Sequence, residues 1–319
     1  MTTTDTATRE GERPAGAGTG SGGAGSGGGR RPRLSLEARM LLPALLLLAV
    51  LSLFPLFFII YMSLSSVSLI GGISFDWMGL GNWARLFTDG VVGASWLRAG
   101  VFFVATVGLE MVLGIGIALL VHELVRGKNL VLSVLLIPMF VAPVIVGLLG
   151  RFLTDSTYGL YSWVLSSTGV FEQDILGSPV SALTAVILMD VWEWTPLVTL
   201  IVLAGLSSVP QPVLEAANID GANYWQRLRH VVLPSVAGVV IVALLIRSMD
   251  AIRYFDIIFV TTNGGPGNAT KIIPIRLYET AFRFFDLGYA AAIGLSMLVF
   301  SIVVAMIFVR ILKNRGLVR

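Results

Sequence analysis

EAANIDGANYWQRLRHVVLP, residues 215–234, is a short amphipathic stretch set between two long apolar runs. Leu214, Ala217, Gly221, Tyr224, Leu228 and Val231 recur at roughly a helical period, while Glu215, Asn218, Gln226, Arg227 and Arg229 point in other directions. Pro210 and Pro212 suit a helix start, and Asn223 with Gln226 three residues later reads as a variant capping box for a second short helix. Gly221 falls between the two, where a left-handed backbone costs other residues most. The stretch therefore predicts a helix, a turn and a helix. On these features alone it suits a helix pair lying on lipid headgroups.

Outward from this stretch the chain is mostly apolar. Spanning about 30 Å of hydrocarbon takes about 20 helical residues. Six segments meet that length, at about 40–62, 97–121, 130–152, 180–206, 236–260 and 287–311. With 55% hydrophobic and 13% charged residues, the chain reads as an integral membrane protein and not a soluble enzyme. The expected fold is all-α and polytopic, with about six transmembrane helices. The first, third and sixth segments have essentially uncharged cores. The others carry Glu110, then Asp190 and Glu193, then Arg247, Asp250, Arg253 and Asp256. Pro138 and Pro143 predict a kink or local break in the third.

Residues 1–34 are dominated by Gly, Ser, Thr and Ala, bury too little apolar surface to order themselves, and are expected to form a disordered tail. Residues 35–319 form the transmembrane domain, with a loop over 207–235. Arginines ahead of the first apolar run imitate a secretion signal, but Met40 to Phe75 holds no charge, which is too long for a signal core, so an uncleaved first span is expected. The chain has no cysteine, which excludes disulfides and thiolate chemistry, and His122 and His230 are too far apart for a histidine metal site. The net charge of +3 is spread over loops and termini, so it speaks for topology and not for nucleic acid. With the N-terminus inside, fourteen of the 22 Lys and Arg fall on the inner side and six on the outer side. That asymmetry places both termini and the 207–235 loop in the cytoplasm.

Glu215-Ala216-Ala217, Asp220-Gly221, Val231 and Leu233-Pro234 have the spacing of the EAA loop, and the chain resembles the permease subunits of ATP-binding-cassette importers. DVWEWTPLVTLIVLAGLSSVP (190–210), RSMDAIRYFDIIFVTTNGGPG (247–267) and GLGNWARLF (79–87) are similar to the carbohydrate-uptake branch of that family, first-permease type. Val231 replaces the usual isoleucine, and no large extracytoplasmic insert is present. The resemblance implies the type I permease fold and a coupling loop in which Glu215, Ala216, Ala217, Asp220, Gly221, Leu233 and Pro234 engage a cleft on an ATPase. It also implies a second homologous permease, two ATPase subunits, an extracytoplasmic solute-binding protein and a lipid environment in a bacterial cell membrane. No G-x-x-x-x-G-K-[ST] phosphate loop occurs, so ATP and Mg belong to the partner ATPase and this chain needs no cofactor. Tyr224 and Trp225 are expected to pack, at least one of them, against the permease's own helices.

Depth along the helices, at about 1.5 Å per residue, puts Glu110, Asp190 and Arg247 near the bilayer midplane, where ionisable groups are costly. Arg247, Asp250, Arg253 and Asp256 step by three and form one stripe of alternating sign. Two readings fit it. The stripe neutralises itself, Arg247 with Asp250 and Arg253 with Asp256, or part of it lines a solute path beside Trp192, Trp194 and Tyr254, since sugars bind through polar groups plus an aromatic face. The path candidates are thus Trp192, Trp194, Arg247, Asp250 and Tyr254, with Glu110 as a helix-to-helix contact. Asn268-Ala269-Thr270 matches a glycosylation pattern but reads as loop geometry. A secondary transporter would show inverted repeats and intramembrane carboxylates without a cytoplasmic docking loop, and an intramembrane enzyme would need a clustered His, Cys or Ser site, which is not found.

Overall fold

The computed structural model describes residues 36–69, 71–169 and 174–314. The 1–34 tail lies outside the described residues, as do Arg315 and Arg319 of the inner basic set. The chain divides into two units, one ending at Ser52 and one running from Leu53. The boundary cuts the first helix, α1 (Leu36–Ser63). In the first unit the α1 side chains from Met40 onward are almost all exposed and apolar, as suits a helix facing hydrocarbon.

The second unit opens on the end of α1 and a hairpin, β1 (Ser65–Ser68) with β2 (Ser74–Trp77), in register from Ser65 opposite Trp77 to Ser68 opposite Ser74. Then come α2 (Gly81–Thr88), α3 (Gly90–His122), α4 (Lys128–Leu136), a tight turn at Pro138–Phe140, α5 (Pro143–Leu153), α6 (Leu160–Ser167) and α7 (Pro179–Ser207). The rest is α8 (Gln211–Ile219), α9 (Tyr224–Arg227), a wide turn at Leu228–Val232, α10 (Leu233–Ala251), α11 (Asp256–Thr261), α12 (Ile273–Phe282) and α13 (Leu287–Asn314). The fold is helical, with the hairpin its one addition among the described residues.

Five helical runs are long and apolar enough to cross a membrane. The third expected span is not a straight crossing: α4 with its tight turn meets α5 at 91°. Pro138 and Pro143 supply no N–H donor, and Ala142 is driven to an extended backbone, φ −65° and ψ 138°. The fifth is also interrupted. Its helix stops at Ala251 and resumes at Asp256, so the four-residue stripe is not on one continuous helix.

Helices in hydrocarbon associate by close packing, because lipid is as apolar as leucine. α3 and α7 lie along one another. A Cβ at Gly114 would come within 2.6 Å of Val198 Cγ1, so glycine there is what lets the backbones meet. Val107, Met111 and Ala118 of α3, Val198 and Val202 of α7 and Ala243 of α10 form one core cluster. A second joins Phe102, Val186, Val191, Tyr254, Ile257 and Ile275. At the hairpin end, buried Asn82 donates to the Ser63 and Ser65 carbonyls at 3.0 Å each, and a Cβ at Gly288 would run into the Ser65 carbonyl oxygen. Asp89 caps α3 by accepting from the Val91 and Val92 amides, and its other oxygen accepts from Tyr289 Oη at 2.9 Å. The GLGN run of the sequence is thus an anchor for this end of the bundle. In the turn after α11, Asn268 has φ 76° and Thr270 Oγ1 donates to the Gly265 carbonyl at 2.8 Å, which is loop geometry, as expected.

Candidate functional site

Two places concentrate the chemistry. The first is the middle of the bundle, where Arg247 of α10 is fully buried. Its Nε and Nη2 donate to the two carboxyl oxygens of Glu110, on α3, at 2.6 and 2.7 Å. Nη1 donates to Asp250 at 2.8 Å and Nη2 reaches Asp190, on α7, at 3.3 Å. A forked, two-point guanidinium–carboxylate pair is the strongest arrangement available to such charges. One cation therefore ties three helices together. Its Cζ also stands 4.9 Å from the centre of the Trp194 ring.

The expected pair of Arg247 with Asp250 is present, yet Glu110 is the closer partner. The expected pair of Arg253 with Asp256 does not form. Both residues are exposed, and Arg253 Nε donates instead to the Met249 carbonyl at 3.3 Å. The break after Ala251 is the reason, since a spacing of three aligns side chains only while the helix continues.

The structure brings Trp194, Arg247, Asp250 and Tyr254 together and leaves Trp192 apart. Two positions along a helix differ by about 200°, so Trp192 points away from Trp194. It is 52% exposed and lines an apolar cleft of about 690 Å³ between α5, α6 and α7, with Gly150, Tyr161, Leu188 and Met189. Tyr254 is buried, its ring stacked on Phe102 at 5.3 Å. Sequence reasoning named Glu193 only as a charge within its span, not among the path candidates, and overlooked Ser248. Both are buried, and Glu193 Oε2, Trp194 Nε1, Ser248 Oγ and Tyr254 Oη lack hydrogen-bond partners. The available signal for Glu193 was its place three residues after Asp190 in the same apolar run. Among the described residues, no group of His, Cys, Asp and Glu is arranged to hold a metal.

The second place is the segment the sequence singled out. α8 ends at Ile219, Gly221 takes φ +74°, and α9 starts on Asn223. The Asn223 side chain accepts from the Gln226 amide at 2.9 Å while the Gln226 side chain accepts from the Asn223 amide at 2.8 Å, the reciprocal capping box. Arg227 Nη1 donates to Asn218 Oδ1 at 2.9 Å and fastens the two helices. Glu215, Ala216, Asp220, Gly221 and Pro234 are exposed, Ala217 is buried, and Leu233 is half-buried. Nothing lies within 4 Å of a Cβ added at Gly221, so its constraint is the left-handed backbone and not crowding.

Tyr224 and Trp225 do not pack into the permease. They touch each other edge-on at 5.7 Å, and Trp225 is 73% exposed and Ile219 87%. α9 is one turn long and is tied to α8 through Arg227, which leaves the Trp225 side chain facing outward. Between α9 and α10 the wide turn at Leu228–Val232 buries Leu228 and leaves Arg229 and His230 exposed.

Residues 110–316 match the family described as the inner membrane component of binding-protein-dependent transport systems. The chain is 38% identical over 239 residues to the trehalose/maltose transport system permease protein MalF of Thermococcus litoralis, covering 75% of this chain and 80% of that one. It is 31% identical over 274 residues to the trehalose transport system permease protein SugA of Mycobacterium tuberculosis, covering 84% and 86%. Its fold is similar to that of a chain in the crystal structure of a bacterial alginate ABC transporter in complex with an alginate pentasaccharide-bound periplasmic protein, with a TM-score of 0.76 at 20% identity, covering 88% of this chain and 95% of that one. Matched by family over more than half its length and by relatives over most of it, this multi-pass helical chain belongs to the inner-membrane permease components of binding-protein-dependent ABC importers.

Proposed function

We propose that this permease forms half of the translocation path for a sugar or sugar-like solute and is driven by a separate ATPase through its 207–235 loop. The trehalose and maltose systems of its relatives support the solute class. The observation that carries the coupling role is the exposed apolar pair Ile219 and Trp225 beside the left-handed turn at Gly221. Burying one such side chain in a partner's cleft contributes about 1.5–3 kcal/mol, and a solvated charge at Glu215 fixes orientation at the rim. Closure of the ATPase pair would move α8 and α9, and the wide turn before α10 would pass that motion to the span bearing Arg247.

In this reading a second homologous permease supplies the other half of the path, two ATPase subunits hold ATP and Mg, and a solute-binding protein delivers from the far side. Glu215, Ala216, Ala217, Asp220, Gly221, Leu233 and Pro234 form the coupling element. Trp194, Arg247, Asp250 and Tyr254 border the path, and Trp192 borders it from the cleft side. Residues 1–34 form a cytoplasmic tail ahead of a 35–319 membrane domain, and both termini and the loop face the cytoplasm of a bacterial cell.

The test is a pull-down of the tagged chain from solubilised membranes, in which the ATPase co-purifies with the parent and is lost with Ile219→Asp while the chain still inserts. Retention of the ATPase by that variant would leave the segment as an interfacial helix. Because the chain has no cysteine, an Asn218→Cys variant tests orientation separately. It should resist an impermeant thiol reagent applied to intact cells and react once the membrane is opened.

A further inference from the structure

The buried cluster carries one cation and several acids, and its surplus bears on what can pass. Arg247 faces Glu110, Asp190 and Asp250, and Glu193 lies within Coulomb range of Asp190, Arg247 and Asp250. All three guanidinium nitrogens are already engaged, two of them by a single carboxyl group. Among the described residues, no other basic side chain pairs with Glu110, Asp190 or Asp250. Arg253 is exposed and bonded to a backbone carbonyl. Arg98 of α3 sits twelve residues before Glu110, or about 18 Å along the helix. Lys271, Arg276 and Arg283 all pair with Glu279.

The unpartnered atoms are of a different kind. Trp194 Nε1 only donates, Ser248 Oγ and Tyr254 Oη donate and accept, and Glu193 Oε2 adds a further oxygen. Glu193, Ser248 and Tyr254 are each more than nine-tenths buried. Tyr254 Oη lies beside the Asp190 carboxyl without a well-formed hydrogen bond to it. Such a set matches hydroxyl groups, which also donate and accept. A phosphate, sulfonate or carboxylate only accepts, and its recognition needs free cationic donors. The carboxyls offer no positive charge whether ionised or protonated.

We infer that the membrane site of this permease takes uncharged polyhydroxyl solutes and rejects anionic ones, with Asp250 as the residue that sets the exclusion. The inference rests on the reading that Trp194, Arg247, Asp250 and Tyr254 border the path.

The experiment uses the assembled importer in lipid nanodiscs without its binding protein, built from cysteine-free partners. Ser248→Cys, a near-isosteric change, reports the site through its rate of labelling by a small methanethiosulfonate. Trehalose, maltose and methyl glucoside are the uncharged probes, and glucuronate and glucose 6-phosphate the anionic ones, each up to about 100 mM at matched ionic strength, since weak sites bind in the millimolar range. At least one uncharged sugar should slow labelling and neither anion should. Adding Asp250→Asn should improve protection by the anions relative to the uncharged sugars about tenfold, the scale of one unit charge about 10 Å away in a partly polar site.

Protection by an anion equal to that by the uncharged sugars overturns the inference while leaving the path reading intact. Protection unchanged by Asp250→Asn overturns the assignment of Asp250. If no probe alters labelling, the path reading falls and the inference with it.

Discussion

The Arg247 cluster and the α8–α9 turn invert the usual distribution of residues in opposite ways. In the bundle, Glu110, Asp190, Glu193 and Arg247 are buried. At the turn, Ile219, Tyr224 and Trp225 are exposed. Charges inside and apolar groups outside both need a reason. The bundle largely resolves its inversion within the chain, by folding the Arg247 fork onto three helices. The turn has no such resolution among the described residues of the chain, and in the proposed reading a partner ATPase covers it. The irregularity closed internally holds the fold together; the one left open is the place where the proposed coupling interface is to be tested.

The largest effect should come from leaving the buried acids without their cation. Arg247→Met alone is expected to lower stability by about 3–5 kcal/mol, because Glu110 and Asp190 remain buried and unpaired. Thermal unfolding in detergent, or the yield of inserted chain, reads this directly. Adding Glu110→Leu should recover more of the loss than adding Asp250→Ala, because the Asp250 side chain is 42% exposed and already solvated, whereas Glu110 is 0% exposed. Equal recovery by the two second changes would mean that the fork to Glu110 is not the dominant pair.

A smaller effect, of another kind, is expected at the turn. Trp225→Ala should leave unfolding unchanged, since the residue contacts little of its own chain, but weaken ATPase capture by about 2 kcal/mol, the size of an interface anchor. Gly221→Val should cost about 1–2 kcal/mol locally through its positive φ and abolish solute-stimulated ATP hydrolysis, with Gly221→Asn milder because asparagine tolerates that backbone. Loss of chain stability in Trp225→Ala would erase the contrast between the two regions.

The smallest expected change is Tyr254→Phe, which removes an unpartnered hydroxyl and keeps the ring stacked on Phe102. Stability should shift by less than about 0.5 kcal/mol, as no hydrogen bond is lost, while transport at low solute concentration should fall. Unaltered transport across the concentration range would remove Tyr254 from the path.

Hydrophobic length and helical period are local properties, and local properties are what the sequence could determine. It located the long spans, the turn at Gly221, the capping box of Asn223 with Gln226 and the presence of a break near Pro138 and Pro143. It also marked Arg247 and Asp250 as neighbours, because three residues on one helix share a face. The 91° bend of α4 against α5 was not legible, since a proline states where a helix fails and not where the chain goes next. Nor was the interruption after Ala251, which separates Arg253 and Asp256 from the cluster. The solvent exposure of Trp225 escaped as well, because apolarity predicts burial only where a neighbour is within reach. The pairing of Glu110 with Arg247 joins residues 137 positions apart. Only the close approach of α3, α7 and α10 could decide it, because a buried charge takes whichever opposite charge the packing brings within hydrogen-bond distance, whatever the separation along the chain.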